Sequence, residues 1–118
     1  MKYLCLLYVP EDGPAPGSPD WAETVAANVA TVRTLTEAGV LVDTAPLQPA
    51  RSATTVRVRD GETLLTDGPF AELKEQLGGY YLLDCADLDE ALRWAAVIPA
   101  ARFGSVEVRP LIPMEGRP

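Results

Sequence analysis

From Lys2 to Val9 the chain reads KYLCLLYV, apolar at nearly every position, a pattern that suits a central strand covered on both flanks. After the Pro-, Gly- and acid-rich EDGPAPGSPD, the residues Trp21, Val25, Val29, Val32 and Leu35 recur at spacings of four and three, which predicts a helix with that stripe on its packed face. Ser18 is placed to cap this helix, Pro19 to fill its first position and Gly39 to end it in the left-handed conformation. Val40 to Leu47 resumes as a strand before Pro46 and Pro49 punctuate the chain. Thr54 to Thr66 predicts a hairpin, because Asp60-Gly61 can occupy the two positive-φ positions of a type I′ turn; Arg59 then lies opposite Glu62, and Val56 opposite Leu65. Beyond the hairpin, Pro69 is expected to open a short helix that Gly78-Gly79 breaks, with Tyr80 to Asp84 as the next strand. Asp87 and Glu90 stand at capping-box spacing before Leu88, Ala91, Leu92, Ala95 and Ile98, a second amphipathic helix stopped by Pro99. Ser105 to Ile112 supplies the last strand.

With the hairpin set aside as an insertion, the order is βαββαβ, an α+β ferredoxin-like plait in which both helices cover one face of an antiparallel sheet. Leu4, Leu6 and Tyr8 alternate with Tyr3, Cys5, Leu7 and Val9, so whichever set meets the helices, the other is left as an apolar patch on the second face. Two covers are open: a second copy related by a two-fold axis, or the hairpin and the segment after it folding back over the sheet.

The 118 residues fit one domain, residues 1–113, with residues 114–118 as a tail expected to fray. Seventeen acidic against 10 basic residues leave a net charge of -7, which repels phosphate backbones, so no direct nucleic-acid partner is expected. The first apolar run is short and is followed by Glu11, Asp12 and Pro14 instead of a small-residue cleavage site; no run is long enough to span a bilayer. A cytoplasmic protein with no membrane partner is the expectation. Cys5 and Cys85 fall on separate predicted strands without a C-x-x-C spacing and read as small buried hydrophobes. There is no histidine, which excludes a Ser-His-Asp triad, a His-based metal site and a His-ligated haem. Neither phosphate-cradling glycine pattern occurs, and no cofactor or metal is expected.

The tetrapeptide Asp67-Gly68-Pro69-Phe70, continued by AELKEQLGGYYLLD, preceded by TTVRVRDGETLLTDGPF and followed later by IPAARFGSVEVRPL, resembles the DGPF branch of the YCII-related proteins from Lys2 to about Pro113. The resemblance implies a homodimer of the dimeric α/β-barrel superfamily type and an accessory role beside extracytoplasmic-function sigma factors. It also implies a His-Asp pair as active site in the better-studied relatives, which a chain without histidine cannot reproduce.

Around the signature, Asp67 is a candidate base or ligand anchor, with Phe70 and a tyrosine beside it and Lys74 to neutralise an anionic substrate or pair with Asp67. The same residues are sound turn chemistry, with Asp67 capping, Gly68 relieving strain and Pro69 opening a helix. Arg51, Arg57 and Arg59 either gather around an anion or solubilise the hairpin's outer face. Tyr8 and Tyr80 lie on neighbouring strands, where their hydroxyls reach a cleft or their rings pack at an interface; Trp21 and Trp94 are read as packing. The ligand-binding candidates are therefore Tyr8, Arg51, Asp67, Phe70, Lys74 and Tyr80. Two function classes follow: an accessory module binding a small ligand or a protein, or a cofactor-independent lyase, isomerase or dehalogenase with Asp67 as base and Lys74 or Arg51 holding an anion.

Overall fold

In a computed structural model, which describes residues 1–11, 13–14 and 17–114, strand β1 (Lys2–Pro10) is a central strand of the main sheet, as its apolar run requires. It is followed by helix α1 (Pro19–Glu37), strand β2 (Leu41–Pro46), a 3₁₀ turn at Ala50–Ser52, strands β3 (Thr54–Arg59) and β4 (Glu62–Asp67), and strand β5 (Glu75–Asp84). Helices α2 (Leu88–Ala95) and α3 (Ala100–Phe103) and strand β6 (Ser105–Pro110) complete the chain. The main sheet has the order β2-β5-β1-β6 with every neighbouring pair antiparallel, and β3-β4 form a separate ribbon. This is the expected α+β ferredoxin-like plait with an inserted hairpin.

The local signals at the ends of the elements hold. Trp21 N–H donates to Ser18 Oγ at 3.1 Å with Pro19 opening α1, and Gly39 follows the helix at φ +76°. Glu90 N–H donates to Asp87 Oδ1 at 2.9 Å, while Glu90 Oε1 accepts from Ala86 N–H at 2.8 Å, a return bond one residue earlier than the standard box. Asp60 and Gly61 take φ of 52° and 77°, and the ribbon pairs Arg59 with Glu62 and Val56 with Leu65.

Tyr3, Cys5 and Leu7 of β1, Tyr81 and Leu83 of β5, Leu35 of α1, Ala91 and Ala95 of α2, and Ile98 form the core between sheet and helices. The other alternate set, Leu4, Leu6 and Tyr8, lies on the face without helices and is half-buried. The hairpin does not fold back over that face. Thr55 is the one half-buried residue of β3 and β4, and all their other residues are exposed.

Three expectations are corrected. No helix follows Pro69: β5 begins at Glu75, and Gly78 and Gly79 lie inside it. They are glycines because β5 is squeezed between neighbours, not because a helix breaks there. A Cβ on Gly79 would stand 2.9 Å from the Ala45 carbonyl oxygen, and one on Gly78 would stand 2.8 Å from Val9 Cγ2. At the same point the β1–β5 register slips, so that Leu7 faces Gly79 and Tyr8 faces Leu77. Second, Trp21, Val25 and Val29 are exposed, whereas Thr31 and Leu35 are buried with Val32 packed beside them, so Trp21 is not a packing residue and Trp94 is. The helix turns a partly polar flank inward because its polar atoms find partners there: Tyr81 O–H donates to Asn28 Oδ1 at 3.0 Å, and Thr31 O–H donates to the Ala27 carbonyl at 2.9 Å. Third, β6 ends at Pro110 instead of Ile112, and in α2 Leu88 and Leu92 remain exposed while Ile98, past the helix, is fully buried. Of the expected tail, Met114 is exposed and residues 115–118 lie outside the described residues.

Candidate functional site

β4 ends at Asp67, and Gly68 then turns the chain at φ +99°, a left-handed conformation that a residue with a Cβ adopts only under strain. The turn is tied to the base of the hairpin: Gly68 N–H donates to the Ala53 carbonyl at 2.6 Å, and Thr55 O–H donates to the Gly68 carbonyl at 2.9 Å. Glu11 N–H donates to the Lys74 carbonyl at 3.4 Å, which brings the end of β1 to the same place. Between these segments lies an open cleft of about 350 Å³, bordered by Glu11, Arg51, Asp67, Glu72 and Gln76 with Ala50, Gly68 and Pro69. Three carboxylates and one guanidinium in one depression suit a ligand that offers hydrogen-bond donors or positive charge beside a group for arginine. Among the described residues, no three His, Cys, Asp or Glu side chains converge as a metal site.

The six candidate residues are distributed over four places. Asp67 and Arg51 share the cleft. Phe70 is 79% exposed and lies outside the cleft's lining, with the Arg57 guanidinium 5.9 Å from its ring centre. Lys74 is exposed and reaches the cleft's surroundings through its backbone carbonyl. Tyr8 and Tyr80 belong to the open face of the main sheet. The three arginines are likewise not gathered: Arg51 borders the cleft, Arg57 sits over Phe70, and Arg59 donates to the neighbouring Val58 carbonyl at 3.0 Å. Nor does Asp67 cap a helix, since none follows it; it is the exposed last residue of β4. Gly68→Ala should lower stability by about 1 kcal/mol through the left-handed φ alone, because no atom stands within 4 Å of the added methyl. Thermal melts of the purified variant measure this.

The open sheet face is the second constellation. Leu4, Leu6, Tyr8, Tyr80 and Leu82 form its centre, with Asp43 on the β2 side and Glu107 and Arg109 on the β6 side. Tyr80 O–H donates to Asp43 Oδ2 at 2.7 Å, and this bond to a carboxylate, ahead of burial, raises the phenol above its ordinary pKa. Arg109 pairs with Glu107 along β6. Asp43 was not singled out from the sequence, although an acid between Val42 and Thr44 in an otherwise apolar strand is a signal that it faces something polar. Glu11, Glu72 and Gln76 carry no such signal, because only the approach of Glu11 to Lys74 places them around Asp67.

Cys5 and Cys85 are both free and buried. Burial, with the neighbouring Cys85, pushes the Cys5 thiol from 9.0 to about 11; burial first, then Glu90 and Asp84, raises Cys85 against an opposing pull from the Met1 ammonium. Neither is an activated nucleophile.

The fold is thus a ferredoxin-like plait with a cleft at the hairpin base and a sheet face that carries no helices among the described residues. The chain belongs to the family of the YCII-related domain, whose model matches residues 1–115. It is 46% identical over 114 residues to an uncharacterised protein of Rhizobium meliloti (strain 1021), an alignment covering 94% of this chain and 92% of that protein. Among solved structures it is similar to the 5-chloro-2-hydroxyhydroquinone dehydrochlorinase TftG of Burkholderia phenoliruptrix AC1100, in complex with 2,5-dihydroxybenzoquinone. That match has a TM-score of 0.50 and 16% identity, and covers 95% of this chain and 94% of that one. At that identity the likeness is one of fold. No helix among the described residues is long and apolar enough to cross a membrane.

Proposed function

We propose that this protein is a homodimeric accessory module of the DGPF type, assembled through the open sheet face and binding a small ligand in the cleft at the hairpin base. The observation that carries the reading is the open face itself: a half-buried apolar row, Leu4, Leu6, Tyr8, Tyr80 and Leu82, with polar and charged groups at both edges. An apolar centre with a polar rim is the anatomy of a protein interface. A two-fold axis running along the strands would lay the β2 edge of one copy over the β6 edge of the other, bringing Asp43 toward Arg109. Asp67, exposed at the mouth of an open cleft, fits a binding role better than a base that must be shielded from water.

Sedimentation equilibrium tests the assembly. The wild type should be dimeric at micromolar concentration, and Leu6→Glu should raise the dissociation constant at least about 100-fold by burying an unpaired carboxylate. A wild type that stays monomeric at that concentration removes the reading.

A second reading rests on Asp67 and Arg51 bordering the same cleft, the pairing of base and anion holder that a cofactor-independent lyase, isomerase or dehalogenase of this fold requires. In this reading Arg51, which lines the cleft, holds the anion in preference to Lys74, which does not line it. Calorimetric titration with 2,5-dihydroxybenzoquinone discriminates. Binding that disappears in Arg51→Ala, together with turnover of a chlorinated hydroquinone that disappears in Asp67→Asn, would favour the enzyme; a protein that binds without turnover supports the module.

A further inference from the structure

We infer that the cleft at the hairpin base takes a small aliphatic diamino acid, with the chemistry of free lysine, its carboxylate on Arg51 and its ammonium groups on the carboxylates of the other walls. The inference rests on the binding role proposed above for this cleft and names the ligand class. The cleft offers the carboxylates of Glu11, Asp67 and Glu72 and the guanidinium of Arg51. Gln76 adds an acceptor, because its Nε2 donates to the Leu73 carbonyl at 2.7 Å and leaves its Oε1 to the cleft. The backbone is shaped to bring Gln76 there. Continuing the β1–β5 register from Leu7 and Gly79 would set Pro10 against Gln76, on the open face of the sheet; the slip between Leu7 and Tyr8 sets Val9 against it instead. One extra residue in β5 thus gives Gln76 to the cleft and Glu75 to the open face, where Glu75 Oε2 accepts from Ser105 O–H at 3.0 Å. Bulges recur beside ligand sites, where they re-aim a side chain in this way.

The ligand class follows from charge and lining. Opposite charges border one depression, yet among the described residues the ion pairs are Met1–Asp84 and Arg109–Glu107, and none joins Arg51 to Glu11, Asp67 or Glu72. Separate anchors hold them apart. Arg51 sits in the 3₁₀ turn closed by Ser52 N–H on the Pro49 carbonyl at 2.8 Å, Asp67 ends β4, and Glu11 follows β1. Nor do the carboxylates converge as a metal ion requires, so the ligand spans the gap with charges of both signs. Negative charge is in excess. A monoamine with one carboxylate leaves two acids unmatched and a diamine leaves Arg51 unmatched, whereas a diamino acid meets both signs. Among the described residues, no aromatic or large aliphatic side chain borders the cleft; the carbon surface between the charges belongs to Ala50, Gly68 and Pro69. That surface suits a methylene chain and offers no face for a ring to stack on, which sets this ligand apart from the quinone of the second reading. The volume of about 350 Å³ is that of a small-molecule site.

Calorimetric titration at low ionic strength, where exposed charges are least screened, tests this with L-lysine, with cadaverine, which lacks the carboxylate, and with ε-aminocaproate, which lacks the α-amine. L-lysine should bind with a dissociation constant of ~1 mM or below, and each of the other two at least ~10-fold more weakly. Arg51→Ala should bind L-lysine and cadaverine alike, and Glu72→Gln should weaken both by ~3-fold or more. Arg51 and Glu72 are exposed, so both variants should melt with the wild type, which separates lost binding from lost folding. L-lysine binding that both variants leave unchanged, or that cadaverine matches in the wild type, overturns the inference. A protein that takes 2,5-dihydroxybenzoquinone and not L-lysine overturns it while leaving the cleft a ligand site. A protein that binds none of these probes overturns it together with the binding role proposed for the cleft.

Discussion

Gly104→Ala should destabilise the protein by about 3 kcal/mol, the upper end of the cost of forcing one extra carbon into a packed site. The added Cβ would lie 2.1 Å from the Tyr8 carbonyl oxygen, 3.1 Å from the Tyr8 carbonyl carbon and 3.2 Å from Val9 Cα. All three atoms are backbone, in the strand that β5 and β6 hold from either side, so no side chain can swing away. The expected loss comes from this close approach, since Gly104 does not take a positive φ. Gly17→Ala is the converse control. Gly17 sits at φ +91° with no atom of the described residues within 4 Å of the added methyl, so its cost should be only about 1 kcal/mol. For a chain of this length the Gly104 variant should melt on the order of 10 °C lower. If it melts within a degree or two of the wild type, the turn from α3 into β6 does not approach β1 as closely as described.

The same residue marks the limit of what the chain discloses locally. Elements whose signals are short-ranged were legible: the Ser18-Pro19 start of α1, the Asp60-Gly61 turn with its register, the Asp87 cap and the doubly apolar β1. The topology followed from their order. The segment from Pro69 to Gly79 was not legible, because a Gly-Gly pair after a charged stretch looks the same whether it ends a helix or lets a strand pass close to two neighbours. Only the partners Val9 and Ala45, distant in sequence, distinguish the two. The orientation of α1 was hidden for a related reason. Periodicity locates an apolar stripe, but Asn28 and Thr31 turn inward because Tyr81 and the Ala27 carbonyl satisfy them. Of the cleft, Arg51 and Asp67 were legible by chemical type, while Glu11, Glu72 and Gln76 arrive through the fold.

Stability should fall steeply in alkali, and Cys5 should account for a measurable part of the fall. Its thiol is shifted from 9.0 to about 11 by burial and by Cys85, so the folded state holds the proton more tightly than the unfolded state does. The sign follows from linkage. Below pH 9 both states carry the proton and the full stability is present; between pH 9 and about 11 the unfolded state releases it first, so stability declines as pH rises; above the folded value the contribution is constant. A shift of this size corresponds to about 3 kcal/mol lost across the window. Tyr81, raised by burial, acts in the same direction from its own higher starting point, and Cys85 adds to the fall. Cys5→Ala should be modestly less stable than the wild type at pH 7, yet its stability should decline more gently between pH 9 and 11, by up to about 1.4 kcal/mol per pH unit. Urea unfolding at pH 7, 9, 10 and 11 measures both slopes. Parallel slopes in the two proteins would mean that Cys5 is ionised as readily in the fold as out of it.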